Sequence, residues 1–207
     1  MYNIIDFPKI HSPFIREKKP RRQYLLTNEF EDGYSWLYDD GVIAVDKLNG
    51  TNICVYYDAG KITHISNRKQ LVLTDNDSFF GLKGNNLLIA AGLLNSMKKG
   101  IFQIPGAREG SGRIYGELIS PKINKNIHCV DSSYFIPFDY LKDKCHWHSW
   151  VQNKYPKNFE SISEWFKELP SLFTKRFTGR DEPAEGLVFY HPDGKMCKLR
   201  RDMFEWY

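Results

Sequence analysis

Residues 41–66 read GVIAVDKLNGTNICVYYDAGKITHIS, and this stretch decides what fold to expect. Val42, Ile43, Ala44 and Val45 form an apolar run of strand length. A tight turn at Gly50 follows, and then the β-branched and aromatic run Ile53-Cys54-Val55-Tyr56-Tyr57. Asp58-Ala59-Gly60 is a short turn, and residues 61–66 alternate as a half-buried strand should. Strands joined by such short turns pair antiparallel, because parallel neighbours need a long crossover.

The pattern extends outward from there. Residues 87–97 are apolar enough for a buried helix, with Lys98 and Lys99 near its C-terminal end and Gly100 just after. Residues 113–119 and 134–141 predict strands. Ser161-Ile162-Ser163-Glu164 fits a capping box that opens a helix through Trp165, Phe166 and Leu169 and stops before Pro170. Residues 186–191 and 195–200 predict two strands joined across Pro192-Asp193-Gly194. Strands outnumber helices and do not alternate regularly with them. The expected class is therefore α+β, mainly antiparallel sheets with flanking helices, rather than a doubly wound sheet. No repeat, low-complexity tract or linker divides the 207 residues, so one domain over 1–207 is expected, with an irregular N-terminal segment over 1–40.

Composition removes several classes. No run of about 18 apolar residues exists, so no membrane span is expected. The N-terminus shows no secretory signal pattern. The cysteines at 54, 129, 145 and 197 include no CxxC pair, which argues against a disulfide scaffold or closed zinc site and for a reducing, cytoplasmic setting. The 29 Lys and Arg against 25 Asp and Glu permit a polyanionic partner without demanding one.

The segment Asp46-Lys47-Leu48-Asn49-Gly50-Thr51-Asn52 carries the chemistry. On a strand Lys47 shares a face with Val45 and Ile43, and Asp46 faces away. Lysine rarely sits inward unless it is used. Desolvation disfavours a lysine's charged form, and a neutral amine is a nucleophile. Taken alone, an ordinary strand-end lysine in a glycine turn is the better account of the segment.

Further segments follow in order: Ser66-Asn67-Arg68, Tyr115-Gly116-Glu117-Leu118, Phe135-Ile136-Pro137-Phe138-Asp139-Tyr140, Glu185-Gly186-Leu187-Val188-Phe189 and Lys198-Leu199-Arg200-Arg201-Asp202. With KLNGTN at 47–52 this series resembles the six ordered motifs of the covalent nucleotidyltransferases, the superfamily of polynucleotide ligases and RNA capping enzymes. The matches span residues 47 to 202. DNA ligases and capping enzymes usually carry Arg where this chain has Asn52, and the Gly-Thr-Asn ending resembles RNA ligases of the phage nick-sealing type.

The resemblance implies a nucleotidyltransferase core, ATP-grasp-like, without an appended C-terminal domain. It implies an ATP-dependent RNA ligase in which Lys47 attacks the α-phosphate of ATP and becomes a lysyl-AMP. AMP then passes to an RNA 5′-phosphate, and a 3′-hydroxyl seals the strand, as in RNA repair. Residue by residue, it implies that Lys198 and Arg200, two apart on one strand face, reach the phosphates. Glu185 becomes the carboxylate for Mg2+ (or Mn2+), and Glu117 lies near the metal or the ribose. Arg68 contacts the ribose, a phosphate oxygen or the RNA end. Phe138 stacks on the base, and Asp139 beside it points to the opposite face. Asn52 completes the nucleotide-binding set. Two departures stand out: Arg200 replaces a second lysine, and Asn49 replaces an Asp or His. The alternatives are a guanylyltransferase or DNA ligase of the same superfamily, or an RNA-end-binding module that needs a partner. A partner protein supplying a second domain is a further expectation, as is a phage or viral source.

Two other features have double readings. Cys145-His146-Trp147-His148 fits a loop better than a metal site, for want of a second ligand pair at zinc spacing. The basic cluster at 16–22 suits either a phosphate-tracking arm or a solvated one. The Trp165-Phe166 pair is expected in the core.

Overall fold

Strands β4 (Thr51–Asp58), β5 (Lys61–Asn67) and β6 (Leu71–Thr74) run antiparallel in chain order; the first two were expected from residues 53–66, and the third was not. β7 (Ser111–Ile119) and β8 (Tyr134–Pro137) extend the other edge, giving a five-stranded sheet in the order β6-β5-β4-β7-β8. The computed structural model describes residues 4–20, 24–78, 81–147 and 157–207. Period-two alternation sends Ile53 and Val55 to one face, where they join Ile65, Leu118 and Phe135 beneath Ile89 and Leu93 of helix α1 (Gly84–Lys98). Each such burial contributes about 1.5–3 kcal/mol, which outweighs the weak helix propensity of an N-terminal Gly-Asn-Asn.

A second sheet has the order β10-β9-β3, from β3 (Ile43–Lys47), β9 (Gly186–Tyr190) and β10 (Met196–Arg200), all antiparallel. One face is sealed by Ala44, Leu187, Phe189, Cys197 and Leu199, packed with Phe14, Leu37, Phe166 and Phe204. Around it lie the pair β1 (Phe14–Lys18) and β2 (Tyr24–Phe30) and helices α3 (Phe159–Lys167) and α4 (Leu172–Thr178). Helix α2 (Phe138–Lys144) follows β8. Ten strands and four helices among the described residues, every ladder antiparallel, make the α+β class.

The chain gathers into two compact units, each assembled from two stretches. The five-stranded sheet and α1 belong to Met1–Pro8 with Asn49–Leu141. The three-stranded sheet belongs to Lys9–Leu48 with Lys142–Tyr207.

Several local expectations need correction. The first forty residues are not irregular throughout. Phe14 is fully buried and its ring stacks on Phe30 at 5.0 Å, and this pairing outweighs the Pro20 break that obscures the hairpin. Within the basic cluster, Arg16 and Lys18 lie on β1, Lys19 pairs with Glu17 at 2.9 Å, and Arg21 and Arg22 lie outside the described residues. The strand expected over 134–141 ends at Pro137, whose ring removes the ladder donor, and Phe138 opens a helix. Asp139 is thus a helical residue, and face alternation does not apply to it. The cap of α3 is Asn158, whose side chain accepts from Ser161 N–H at 2.9 Å, so the helix starts before the expected box. Helix α1 is buried on one face only. Leu87, Leu94 and Met97 are exposed, whereas Ile89, Ala90 and Leu93 are buried. Helix α4, capped by Ser171, was not anticipated.

Candidate active site

On the three-stranded sheet the register sets the charged groups. Lys47 lies opposite Gly186, and Gly186 lies opposite Arg200, so the three form one row across β3, β9 and β10. Val45, Val188 and Lys198 form the next row. Directly paired residues share a face, so Lys47, Arg200 and Lys198 all project from the side opposite the sealed core, as the two-residue spacing on β10 predicted.

Gly186 is what lets Lys47 lie across its neighbour. A Cβ there would stand 2.9 Å from Lys47 Cδ and 2.6 Å from the Leu199 carbonyl oxygen. Over that bare position Lys47 Nζ reaches Glu185 Oε2 at 2.7 Å and donates to the Leu48 carbonyl at 3.1 Å. Both partners of the ion pair are about four-fifths buried, with side-chain exposures of 20% and 17%. Arg200 Nη2 pairs with Asp202 at 2.8 Å, while its buried Nε–H has no acceptor among the described residues.

Behind Lys47, Asp46 points to the opposite face as alternation requires. It is 1% exposed, and its Oδ2 accepts from the Ser171 hydroxyl at 2.7 Å and from Phe173 N–H at 2.8 Å. Burial pushes its carboxyl up to about 7, against the lowering effect of those two hydrogen bonds, and the nearby Glu185 charge adds to the rise. The carboxyl therefore ties β3 to the start of α4.

The five-stranded sheet carries the other candidates on the face away from α1. Asn52 of β4 is the register partner of Glu117 of β7. Glu117 Oε1 accepts from Gly50 N–H at 3.0 Å, and a Cβ on Gly50 would collide with the Leu118 carbonyl, so this turn also needs a glycine. Arg68 follows β5 and pairs with Asp6 at 3.1 Å. Phe138 opens α2, and its ring lies 4.7 Å from that of Phe7. Phe7 also meets Tyr115 at 5.2 Å. Ile5 anchors this N-terminal stretch: its N–H donates to Tyr56 Oη at 2.7 Å, and its carbonyl accepts from Tyr115 Oη at 3.0 Å.

The model of the family described as RNA ligase matches residues 40–204, most of the chain and every motif above. The chain belongs to the RNA ligase family. No curated protein matches it. Among solved structures it is similar to a Naegleria gruberi RNA ligase with PPi, at 19% identity and a TM-score of 0.45, over 77% of this chain and 49% of that one. It is also similar to a lysine-to-alanine mutant of that ligase with ATP and Mn, at 16% identity and 0.48, over 94% and 62%. A glutamate-to-alanine mutant with AMP and Mn gives 17% and 0.49, over 93% and 61%. The chain thus spans about half the length of the first of these ligases.

The carboxylates expected at a metal are Glu185 and Glu117. Among the described residues no group of three or more His, Cys, Asp or Glu side chains gathers to hold an ion. A magnesium ion that keeps several waters needs only one or two carboxylates and phosphate oxygens, so hard oxygen donors such as these suit it. In the Cys145–His148 stretch, Cys145 and Trp147 bond to β3 through their main chains, by Asp46 N–H to Cys145 O at 2.9 Å and Trp147 N–H to Ala44 O at 3.0 Å. Burial pushes the Cys145 thiol up to about 12, which disfavours the thiolate that a metal would need. His148 lies outside the described residues. Phe166 is fully buried and Trp165 packs beside it, as expected of core residues.

The sequence reading did not find the Asp46–Ser171 tie, the Asp6 and Phe7 contacts, or the side chains of Asn124 and His128 that hold the Asn49 turn. None has a local pattern, and each partner lies tens of residues away.

Proposed function

We propose that the chain is an ATP-dependent RNA ligase that works through a lysyl-AMP on Lys47. The observation that carries this is the row Lys47–Gly186–Arg200, with Glu185 held against the lysine amine. An amine attacks phosphorus through its lone pair, so Lys47 must give up both its proton and its partner Glu185 before it reacts. Lys198 and Arg200 neutralise the phosphates as pyrophosphate leaves. The Arg200 Nε–H that lacks an acceptor would be satisfied by a phosphate oxygen. Asn52, Arg68, Glu117 and Phe138 are assigned to the nucleoside and the RNA end, with the ring of Phe138 stacking on the base. Glu185 is assigned to the divalent cation, which when bound would supply further charge neutralisation on the phosphates, and Glu117 is assigned to the metal or the ribose.

AMP on Lys47 is then transferred to an RNA 5′-phosphate, and a 3′-hydroxyl displaces it to seal the strand. Incubation with labelled ATP and magnesium should label the protein covalently, whereas labelled GTP should not. Lys47→Ala should take no label, and labelling of that variant would overturn the nucleophile assignment. Nicked RNA should be sealed in preference to nicked DNA.

A further inference from the structure

The turn that follows Lys47 is held by side chains from a distant loop. Asn49 N–H donates to His128 Nε2 at 2.8 Å, so that nitrogen is an acceptor and the ring hydrogen sits on Nδ1. Asn124 Nδ2 donates to Asn49 Oδ1 at 2.8 Å and to the Gly50 carbonyl at 3.2 Å. With Glu117 on Gly50 N–H, every one of these polar groups of Asn49 and Gly50 is fixed from outside the motif.

The loop that supplies them is costly to build. Asn124, Lys125 and Asn126 have φ of 47°, 59° and 52°, three consecutive residues in the left-handed region. Asparagine tolerates that region, and lysine does so poorly. The side chain of Asn126 locks the loop by bonding both N–H and C=O of Val130 at 3.0 Å. His128 is 4% exposed. Strained backbone persists where the surroundings over-determine it, and what this strain delivers is Asn124 and His128 onto the Asn49-Gly50 turn.

We propose that Asn124 and His128 are positioning residues for the nucleophile, fixing the turn directly after Lys47 so that its amine is presented for attack. The proposal rests on Lys47 being the nucleophile. It also gives a physical role to Asn49: an amide oxygen accepts from Asn124 without bringing a charge into the turn.

The experiment is single-turnover transfer of labelled AMP to the protein at saturating ATP, with ATP binding and thermal melting measured in parallel. Asn124 is exposed and has a φ of 47°, so Asn124→Gly, which removes the amide and keeps that backbone, should melt like the wild type. It should nevertheless label about tenfold more slowly, because small misplacements of a reacting group cost one to two orders of magnitude. ATP binding should change by less than about threefold, since the loss is in orientation rather than in ground-state contact. His128→Ala should be slow as well. His128→Gln, whose Oε1 can accept from Asn49 N–H, should regain most of the rate, and His128→Lys, which cannot accept, should not. Wild-type rates in both Asn124→Gly and His128→Ala would overturn the proposal. So would His128→Gln as slow as His128→Ala with both melting normally. If the wild type itself takes no label, the nucleophile assignment falls and this inference with it, whereas a labelling wild type beside indifferent variants overturns this inference alone.

Discussion

The two sheets place their working groups in different ways. On the three-stranded sheet, Lys47, Lys198 and Arg200 sit on strands, and ladder register alone fixes which of them are neighbours. On the five-stranded sheet only Asn52 and Glu117 are fixed by register. Arg68 lies just past β5 and Phe138 starts a helix, and both lean on Asp6 and Phe7 of the N-terminal stretch. The groups proposed to meet phosphate charge are thus built into one antiparallel ladder. Two of the groups assigned to the nucleoside and RNA end depend on side chains of residues 6 and 7. The difference implies that substitutions on the first sheet should act on the rate, and those on the second on binding.

Gly186→Ala should have the largest effect. The added Cβ meets backbone at Leu199 as well as the lysine stem, so neither neighbour can simply swing aside. Lys47 labelling should fall by about a hundredfold, the scale expected when a nucleophile is displaced by an ångström. A normal labelling rate would show that the row is not the reacting arrangement.

Phe7→Ala should come next, and through binding. Aromatic pairs contribute about 0.5–1.5 kcal/mol beyond burial, so ATP should bind roughly three- to tenfold more weakly while the single-turnover rate holds. Asp6→Ala should matter less, because its pair with Arg68 is about two-fifths exposed and such pairs are worth about 0–1 kcal/mol. Equal effects from the two would contradict the view that the ring of Phe138, rather than the charge of Arg68, is what the N-terminal stretch holds.

Asp46→Asn tests the support behind β3 and should give the smallest change. The Asp46 carboxyl is raised by burial from 3.8 to about 7, so the folded state holds its proton more tightly than the unfolded state. That contribution to stability is complete below about 4 and is lost as pH rises to about 7. Wild-type melting temperature should therefore carry a fall across that window, and Asp46→Asn should remove that part of it. Parallel profiles for the two proteins would sink this assignment.

These contrasts also explain what could be read from residues alone. The β9–β10 hairpin, the shared face of Lys198 and Arg200 and the turn at Asp58-Ala59-Gly60 are local and periodic, and so were legible. The pairing of Lys47 with Glu185 joins residues 138 positions apart, which no periodicity encodes. Phe138 was misread as a strand residue because the apolar run continues past Pro137, where the ladder loses its donor. The capping box at Ser161 fits a pattern that Asn158 satisfies first. Asp46 was read correctly as facing away, but its receiver, Ser171, caps a helix that had no strong sequence signal.

The most direct test of the central claim is to locate the adenylate. Wild-type protein should be incubated with ATP and magnesium, digested, and the modified peptide sequenced by mass spectrometry. AMP should be found on Lys47 alone, through an acid-labile phosphoramidate bond. AMP on any other residue, or its absence while RNA strands are still sealed, would contradict the account.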